Sequence, residues 1–490
     1  MRLNDVMKDV PARGIDSDAE ITSVTADSRL VVPGALFVAV PGFKTDGAKF
    51  IDAAMSKGAA AIVSESNVAG GIHVDDARAA LSLIAANFYG RPADKLSIIG
   101  VTGTSGKTTT TKMIESILDA SGEPAGLVGT IEYRAGDERL TADRTTPDAV
   151  VLQQWFAKMV DAGVTRAVME VSSHALALKR TYGIHFAAAV FTNLSQDHFD
   201  FHKDFEDYFA AKRILFDQID CTRKTAIVNI DDEYGRRLAN ELGGCVVTFG
   251  RGANADIHPL DGFEISVRGL RGRVATPSGD VHVESKLLGA PNLYNWLGAI
   301  GASLSAGIDV ATIEAGIRSL AAVRGRFEYV ESEGGPTVIV DYAHKPDALD
   351  KLLLAVRDLA GNRRIVLLFG CGGDRDREKR PMMGAIAARL ADRTILTSDN
   401  PRGEKPEAIL DDIERGMRAG ANYTRITDRR QAIAGTIAEA ADDDVIVIAG
   451  KGHESYQVVG DQILHFDDRE EAERALKTRH ENRTSKSASN

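Results

Sequence analysis

The chain has 490 residues, of which 44% are hydrophobic and 26% charged, and its net charge at pH 7 is −11. This length exceeds what one hydrophobic core usually serves, so we expect several domains. The acidic balance and the lack of a Lys/Arg-rich run argue against a nucleic-acid-binding protein, which needs a basic surface to neutralise phosphates.

Cysteine usage and the chain ends indicate a cytoplasmic protein. Cys221, Cys245 and Cys371 are too few and too scattered for a disulfide framework or a Cys-based zinc site. Residues 1–14 include acidic side chains and no apolar core, so they do not predict a signal peptide. No stretch approaches the roughly 18 apolar residues of a membrane span. We therefore expect no membrane or nucleic-acid partner, and a monomer.

The pattern along the chain predicts an α/β fold with three domains. Residues 1–94 have short apolar runs broken by turn signals, which indicates a small mixed α/β domain. In residues 95–322, apolar strands alternate with helical patterns, as in a P-loop domain with a mainly parallel sheet. A second series of βα units over 323–478 predicts a Rossmann-like domain, and the polar residues 479–490 predict a flexible tail.

The stretch "SIIGVTGTSGKTTTTKM", residues 97–113, predicts a phosphate-binding turn. The apolar strand "KLSIIG" (95–100) precedes the glycines, and a helical pattern starts at Thr108. In such a turn, backbone N–H groups and the helix N-terminus hold phosphate, Lys107 reaches its outer oxygens and Thr108 can hold Mg²⁺. The usual P-loop spacing would place glycine at Val101, and a plain glycine turn is the alternative.

Polar clusters follow the predicted strands of both later domains. In parallel sheets, ligands bind beyond the carboxyl ends of the strands, so we expect the functional side chains there. The clusters cover residues 170–174, 193–202, 341–344, 375, 399–402 and 450–454.

Several members of these clusters have two interpretations. Glu170 could help to hold a metal ion or could be a helix cap or surface charge. The loop with Asp197, His198, Asp200 and His202 does not predict a zinc site, because no further Cys or His cluster completes a tetrahedral set. Lys212 lies in a helical pattern whose context predicts a solvated lysine.

The turn "DNPR", residues 399–402, suits a zwitterionic amino acid. Arg402 can bind a carboxylate through two hydrogen bonds, and Asp399 can bind an ammonium group. A capped turn with a surface arginine is the alternative. Arg375 and Glu454 add both charges at the same predicted sheet edge.

Together these motifs resemble the Mur ligase family, which extends the peptidoglycan stem peptide one amino acid at a time. The shortened loop "GTSGKT" with Val101 before it is the family's own form. The resemblance covers nearly the whole chain, through "TADSRLVVPGALFVAVPGFKTDG", "GTSGKTTT", "RTTPDA", "MEVSSHAL", "FTNLSQDHFDFH", "YFAAKRILF", "PNLYNWLGAI", "GRFE", "DYAHKPDAL", "FGCGGDRDREKRPMM", "DNPRGEKP" and "IAGKGHESYQ".

The resemblance implies a site for each substrate. UDP-N-acetylmuramoyl-L-alanyl-D-glutamate would contact Ser28, Gly42, Phe43, Lys44, Thr145, Thr146, Ser172 and Arg180. ATP would contact Gly103, Thr104, Ser105, Gly106, Lys107, Thr108, Thr109, Asn292 and Asn295. Meso-diaminopimelate would contact Arg375, Asp399, Asn400, Pro401, Arg402, Gly450 and Glu454. Mg²⁺ would lie near Thr108, Glu170, His198 and Lys212, the last as a carbamate, and the catalytic residues would be Lys107, Lys212 and His198.

The implied reaction is ATP-dependent addition of diaminopimelate to the D-glutamate γ-carboxylate through an acyl phosphate, in cytoplasmic peptidoglycan precursor synthesis. Leu178 and Arg144 depart from relatives that carry glutamine and asparagine there, which leaves those substrate contacts open. The alternatives are a lysine-adding ligase of the same family, a folylpolyglutamate-synthetase-like ligase and a P-loop kinase or regulatory protein.

Overall fold

The computed structural model describes residues 1–15, 18–42, 45–331, 334–418 and 420–487. Two compact units are formed. The first comprises Met1–His258, Ala275–Gly279 and Asn295–Gly316, and the second comprises Pro259–Val274, Asp280–Tyr294 and Ile317–Asn490. Within the described ranges, no helix combines the length and apolar character needed to cross a bilayer.

The N-terminal sheet has five strands in the order β1-β5-β4-β3-β2, with β1 antiparallel to β5 and the other pairs parallel. All five residues of β3 are buried, as expected for a strand covered on both faces. The elements are α1 (Leu3–Val6), β1 (Ala12–Arg13), β2 (Ser23–Thr25), β3 (Ala35–Ala39), α2 (Ile51–Ser56), β4 (Ala61–Ser64), β5 (Ile72–Val74) and α3 (Ala77–Phe88).

The central sheet has eight strands in the order β13-β12-β11-β6-β10-β7-β8-β9. The first five neighbouring pairs are parallel, and β8 and β9 add an antiparallel edge. Its elements are β6 (Ser97–Thr102), α4 (Lys107–Ala120), β7 (Ala125–Val128), β8 (Glu132–Ala135), β9 (Glu138–Thr141), α5 (Ala149–Asp161), β10 (Arg166–Glu170), α6 (Ser173–Ala177), β11 (Ala188–Phe191), α7 (Phe205–Arg213), β12 (Ala226–Asn229), α8 (Glu233–Leu242) and β13 (Val246–Phe249).

A small sheet and two helices follow the central sheet in the chain. The strands β15 and β17 both pair with β16 in antiparallel orientation. The elements are β14 (His258–Pro259), β15 (Glu264–Ser266), β16 (Gly269–Ala275), β17 (Val281–Ser285), α9 (Gly289–Ser305) and α10 (Val310–Ser319).

The C-terminal sheet has six strands in the order β18-β19-β23-β20-β21-β22, parallel except for β18. A two-stranded hairpin, β24–β25, and a long helix end the chain. The elements are β18 (Glu328–Val330), β19 (Thr337–Asp341), α11 (Pro346–Ala360), β20 (Ile365–Phe369), α12 (Lys379–Leu390), β21 (Arg393–Leu396), α13 (Pro406–Glu414), β22 (Tyr423–Arg425), α14 (Arg429–Glu439), β23 (Val445–Ala449), β24 (Tyr456–Val459), β25 (Gln462–His465) and α15 (Asp468–Ser487).

Helices cover both faces of the C-terminal sheet. Because alternate residues of a strand point toward opposite faces, neighbouring residues join different cores. On β20, Leu367 joins a core with α11, α12 and α13. Its neighbours Val366 and Leu368 join a second core with α14 and α15. The arrangement is doubly wound, and the predicted α/β fold class is confirmed.

The structure differs from the sequence expectation at two places. Cys221 and Cys245 form a disulfide, although the cysteines were expected to be too scattered to pair in a framework. The reason is strand register: β12 and β13 are parallel neighbours that pair Ala226 with Val246, which brings the segments before them together. Cys371 is free and buried.

The second difference is the expected tail from residue 479, because helix α15 continues to Ser487. The guanidinium of Arg479 is buried and donates to the carbonyl of Ile437 at 2.6 Å and to Asp442 at 2.9 Å. These contacts fix residues whose polar composition alone predicts disorder.

Candidate active site

The glycine-rich turn lies between β6, which ends at Thr102, and α4, which begins at Lys107. Gly103 and Gly106 have φ angles of +145° and +86°. A Cβ atom on Gly106 would lie 2.5 Å from the Asn295 side-chain oxygen and would displace it, and the left-handed conformation itself favours glycine. Val101 is a fully buried residue of β6, which explains why the shorter loop has no glycine there.

Two residues after β11 brace this turn. The N–H of Ser105 donates to Asn193 Oδ1 at 3.0 Å, and the N–H of Thr104 donates to the Asn193 carbonyl at 2.9 Å. The hydroxyl of Thr192 donates to the Ser105 carbonyl at 2.6 Å. Sequence reasoning missed this role, although a Thr-Asn pair directly after a buried strand was a usable signal.

Two lysines converge on one carbonyl of the turn. Lys107 Nζ donates to the carbonyl oxygens of Gly103 and Thr104, both at 3.0 Å, and Lys212 Nζ donates to the same Gly103 oxygen at 2.8 Å. Lys212 is only 1% exposed, and its Nζ lies 4.3 Å from the centroid of the Tyr208 ring. Burial, together with the nearby Lys107 charge, holds the pKa of Lys212 well below its ordinary value. The expectation of a solvated lysine was therefore wrong.

Oxygen atoms cluster beside the first turn of α4. Glu170, fully buried at the end of β10, accepts the Thr108 hydroxyl at 3.0 Å. It also accepts the N–H and the hydroxyl of Thr130 at 2.7 and 3.1 Å. This all-oxygen donor set suits a hard cation such as Mg²⁺. Thr130 was missed by sequence reasoning, although it lies two residues after the end of β7.

The loop after β11 places His198 in a left-handed conformation with φ +58°. Its N–H donates to Asp197 Oδ1 at 2.8 Å, and its ring centroid lies 4.7 Å from that of His174. His202 is buried, with its Nε2 2.9 Å from Ser173 Oγ. Across the part of the chain that the structure describes, no three His, Cys, Asp or Glu side chains converge as a metal-binding group.

The residues expected to hold the muramyl dipeptide lie together. Thr146 donates to the Glu170 carbonyl at 2.8 Å and accepts the N–H of Ser172 at 3.1 Å. Arg180 Nη1 donates to the Thr146 carbonyl at 2.7 Å. Thr145 Oγ1 lies 3.0 Å from Thr130 Oγ1. The chain thus gathers these residues beside the Glu170 carboxylate.

The other residues predicted to contact the UDP substrate lie in the N-terminal part of the chain. Ser28 is half-buried, and its carbonyl accepts Lys57 Nζ at 2.9 Å. Phe43 and Lys44 lie outside the described residues, next to Gly42, whose N–H donates to the Thr45 carbonyl at 3.2 Å.

On α9, the side-chain oxygen of Asn295 accepts the Thr110 hydroxyl at 3.4 Å, which places Asn295 beside the glycine-rich turn. Asn292 donates at 2.8 Å to the carbonyl of Leu288, the residue just before its helix. The structure thus brings Asn295 to the turn, whereas this contact of Asn292 is with the start of its own helix.

In the second unit, a polar network lies at the carboxyl ends of β21 and β23. Asn400 donates to Glu454 Oε2 at 2.9 Å, and its own oxygen accepts Lys451 Nζ at 3.2 Å and the N–H of Val458 at 3.0 Å. Burial raises the pKa of Glu454, which the Lys451 charge partly offsets. Asp399 is buried, and a Cβ on Gly450 would lie 2.6 Å from its Oδ2.

Arg402 adopts a left-handed conformation with φ +50°, which is uncommon for a residue with a side chain. Its Nη1 donates to the Gly373 carbonyl at 3.0 Å, and its N–H donates to the Val458 carbonyl at 3.0 Å. Arg375 is exposed, and its Nη1 donates to the Asp374 carbonyl at 3.2 Å. The loops after β20 and β21 therefore carry two guanidinium groups, and the second loop also holds the buried Asp399 and contacts the half-buried Glu454 through Asn400.

Comparison with known proteins finds the same organisation elsewhere. Three family models match: Mur ligase family, catalytic domain, over residues 20–89; Mur ligase middle domain over 101–303; and Mur ligase, glutamate ligase domain over 325–452. A ligase of Gloeobacter violaceus, UDP-N-acetylmuramoyl-L-alanyl-D-glutamate--2,6-diaminopimelate ligase, is 47% identical over 98% of this chain and 99% of its own.

The chain belongs to the Mur ligase family. The ligase of the same name from Bacillus cereus is 46% identical over 93% of this chain and 94% of its own. A solved structure of a UDP-N-acetylmuramoyl-L-alanyl-D-glutamate--2,6-diaminopimelate ligase superposes with a TM-score of 0.71 at 32% identity, covering 98% of this chain and 99% of that one.

The Mur ligase models divide the candidate site residues between them. The middle-domain match contains the glycine-rich turn, Glu170 and Lys212, whereas the glutamate ligase match contains Arg375 and the 399–402 turn. Glu454 lies two residues beyond the end of the second match, yet its contact with Asn400 ties it to the same network.

Proposed function

We propose that this Mur ligase joins meso-diaminopimelate to the D-glutamate γ-carboxylate of UDP-N-acetylmuramoyl-L-alanyl-D-glutamate, using ATP and passing through an acyl phosphate. The near full-length relatives are named for this addition. We assign residues 1–94 to the UDP-sugar, 95–322 to ATP and 323–478 to the amino acid. We place the reaction in the cytoplasm, in peptidoglycan precursor synthesis, and propose a monomer.

The observation that carries the substrate assignment is the left-handed Arg402 fixed between Gly373 and Val458, in the same turn as the buried Asp399 and as Asn400, which contacts the half-buried Glu454. Diaminopimelate is lysine with a second carboxylate, and burying that group without a cation costs several kcal/mol. Arg402 supplies the cation, Arg375 adds a second guanidinium, and the carboxylates suit an ammonium group. Asn400, Pro401 and Gly450 shape the same surface. A lysine-adding ligase has no need of Arg402.

For ATP, we propose that the N–H groups of residues 103–109 hold the phosphates, with Lys107 on the outer oxygens and Asn295 and Asn292 toward the adenine. The left-handed glycines and the position of Lys107 at the start of α4 support this assignment. The family membership and the strand-to-helix position of the turn make a plain glycine turn the weaker interpretation.

The oxygen cluster fits a magnesium ion. Thr108 and Glu170 would hold it, with His198 nearby and Lys212 as a carbamate adding oxygen ligands. When bound, Mg²⁺ neutralises phosphoryl charge. Carbamate formation needs a neutral amine, which the low pKa of the buried Lys212 provides.

The chemistry follows from charge. A carboxylate is a poor electrophile, so a glutamate oxygen first attacks the γ-phosphorus, the bond to the β-phosphate oxygen breaks and ADP leaves. Lys107 stabilises the charge on the transferred group, while Thr145, Thr146, Ser172 and Arg180 orient the dipeptide. The diaminopimelate amine then attacks the acyl carbon, and phosphate leaves as the amide forms and the nitrogen loses its proton.

An assay of phosphate release tests this proposal. We expect release to require ATP, the UDP-muramyl dipeptide and diaminopimelate together, and we expect lysine to substitute poorly. Phosphate release in the absence of the UDP-muramyl dipeptide and diaminopimelate would reject the assignment. Equal rates with lysine and with diaminopimelate would also reject it. Release with a folyl substrate would favour the folylpolyglutamate-synthetase alternative, and phosphate transfer to another acceptor would favour a kinase.

A further inference from the structure

Two loops of the second unit carry the arginines proposed to bind diaminopimelate. The first follows β20 and contains Arg375, and the second follows β21 and contains Arg402. Direct contacts join them: the N–H of Gly373 donates to the Asn400 carbonyl at 2.9 Å, and the N–H of Gly403 donates to Asp374 Oδ2 at 2.9 Å. The two guanidinium groups are therefore carried by one connected structure.

The Glu404 carboxylate stabilises this connection through contacts with the first loop and with Arg380. Its Oε1 accepts the N–H of Asp374 at 2.7 Å, so the second loop binds the backbone of the first directly. The same carboxylate accepts Arg380 Nη2 at 2.7 Å through Oε1 and Arg380 Nη1 at 3.0 Å through Oε2, a two-point pair. Arg377 adds a contact at 2.9 Å.

Arg380 is fully buried near the start of α12, which fixes the position of the pair. Its Nη1 also donates to Asp412 of α13 at 2.9 Å, and its Nη2 donates to the Gly372 carbonyl at 3.3 Å. Glu404 is thus tied to two helices and to the first loop. A buried guanidinium of this kind is rigid and tolerates little displacement of its partners.

The connection also holds backbone conformations that are unfavourable alone. Asp374 has φ +53° and Arg402 has φ +50°, a region that residues with a side chain adopt uncommonly. Both residues lie in the segments that Glu404 joins. Strained conformations of this kind persist where surrounding contacts determine them.

We infer that Glu404, through its pair with Arg380, is a positioning residue that sets the spacing of Arg375 and Arg402 for the two carboxylates of diaminopimelate. This inference rests on the proposed function. In this role Glu404 acts by holding the loops that carry the two arginines and not by contacting the substrate itself. Its loss should therefore weaken use of the amino acid and spare the ATP and UDP-substrate sites.

The test is the variant Glu404→Gln, measured in the full chain. We expect the KM for diaminopimelate to rise about 10-fold or more, because small misplacements of binding groups have large effects. The KM values for ATP and for the UDP-muramyl dipeptide should stay within about twofold of wild type. Arg380→Lys, which keeps the charge and loses the two-point geometry, should raise the same KM and serves if Glu404→Gln is insoluble.

The control variant is Asp444→Asn. Asp444 pairs with Arg364 at 2.9 Å and is buried, but it lies before β23, away from both loops. We expect it to lower the melting temperature to a similar degree with no change in the KM for diaminopimelate. A merely structural role for Glu404 would give the Asp444→Asn result.

The outcomes separate the two proposals. A wild-type enzyme that uses diaminopimelate, with an unchanged KM in Glu404→Gln or Arg380→Lys, overturns the positioning role and leaves the proposed function in place. A wild-type enzyme that does not use diaminopimelate overturns both.

Discussion

At the scale of single residues, we propose that one guanidinium decides which amino acid is accepted. Arg402 is the cation fixed by both its backbone and its side chain, through Val458 and Gly373. The sequence motif already located it, because "DNPR" follows a buried strand. Its left-handed backbone and its contact with the first loop needed the structure.

Arg402→Ala is expected to raise the KM for diaminopimelate about 100-fold, since a charged two-point hydrogen bond is lost. Binding of the UDP-muramyl dipeptide should be unchanged. Steady-state kinetics with each substrate varied in turn measures both values. The control is Arg425→Ala. Arg425 lies on β22 of the same sheet and pairs with Asp411, and this variant should behave as wild type. An unchanged KM in Arg402→Ala would remove the basis of the substrate assignment.

Lys212 is expected to carry a carbamate, because its buried amine has a lowered pKa and a neutral amine reacts with CO₂. Lys212→Arg keeps a cation that cannot react in this way, so kcat should fall at least about 100-fold. Native mass spectrometry in bicarbonate should show one added CO₂ on the wild type and none on the variant. Lys203→Arg, an exposed lysine nearby, is the control. Wild-type kcat in Lys212→Arg would refute the role.

At the scale of elements, helix α4 has a left-handed glycine at each end. Gly106 has φ +86° and Gly122 has φ +79°. A Cβ on Gly106 would meet the Asn295 side chain at 2.5 Å, whereas no heavy atom lies within 4 Å of a Cβ on Gly122. A side chain at Gly122 would therefore add backbone strain alone, whereas a side chain at Gly106 would add both strain and a close contact.

Gly106→Ala and Gly122→Ala are both expected to lower the free energy of unfolding by about 1 to 2 kcal/mol, the cost of a side chain in this conformation. Gly106→Ala should also raise the KM for ATP, because the added methyl group would displace the end of the Asn295 side chain beside the proposed phosphate-binding turn. Urea denaturation and nucleotide titration measure the two effects. Equal ATP affinity in both variants would argue against a phosphate-binding turn.

Element prediction from sequence succeeded where one local signal was sufficient. The predicted strand at 95–100 is β6 at Ser97–Thr102, and the helix predicted from Thr108 begins at Lys107. Apolar runs predicted the strands. The polar residues that follow them predicted the sheet edge at which we propose that ligands bind. The Cys221–Cys245 pair was missed because it depends on the register of β12 and β13.

The sequence did not predict the contacts that hold the site residues in position. The local context of Lys212 predicted a solvated lysine, whereas the family resemblance marked it as a site residue; neither gave its contact with the Gly103 carbonyl. Glu404 and Arg380 lie 24 positions apart and have ordinary contexts. Their importance comes from a buried contact between loops, and such contacts have no periodicity to detect.

At the scale of the whole molecule, we expect two half-buried histidines to make the stability sensitive to acid. Burial lowers the pKa of His344 and of His453 to about 4 each, from an ordinary value of 6.5. The unfolded chain binds protons at both below pH 6.5, while the folded chain does not. Their contribution to stability is therefore present above pH 6.5 and is lost as the pH falls toward 4.

The double variant His344→Gln/His453→Gln should show a weaker dependence of unfolding free energy on pH between 6.5 and 4 than the wild type. Urea denaturation at a series of pH values measures the slope. His465→Gln, at an exposed histidine on β25, should keep the wild-type slope. A double variant with the full slope would assign the acid sensitivity to other groups.

The left-handed Asp374 and Arg402 have an evolutionary consequence. Glycine at either position would relieve the backbone, but it would also remove a side chain that links the two loops, Asp374 with Gly403 or Arg402 with Gly373. On our proposed assignment, the less favourable backbone is therefore retained for recognition of the incoming amino acid and not for folding.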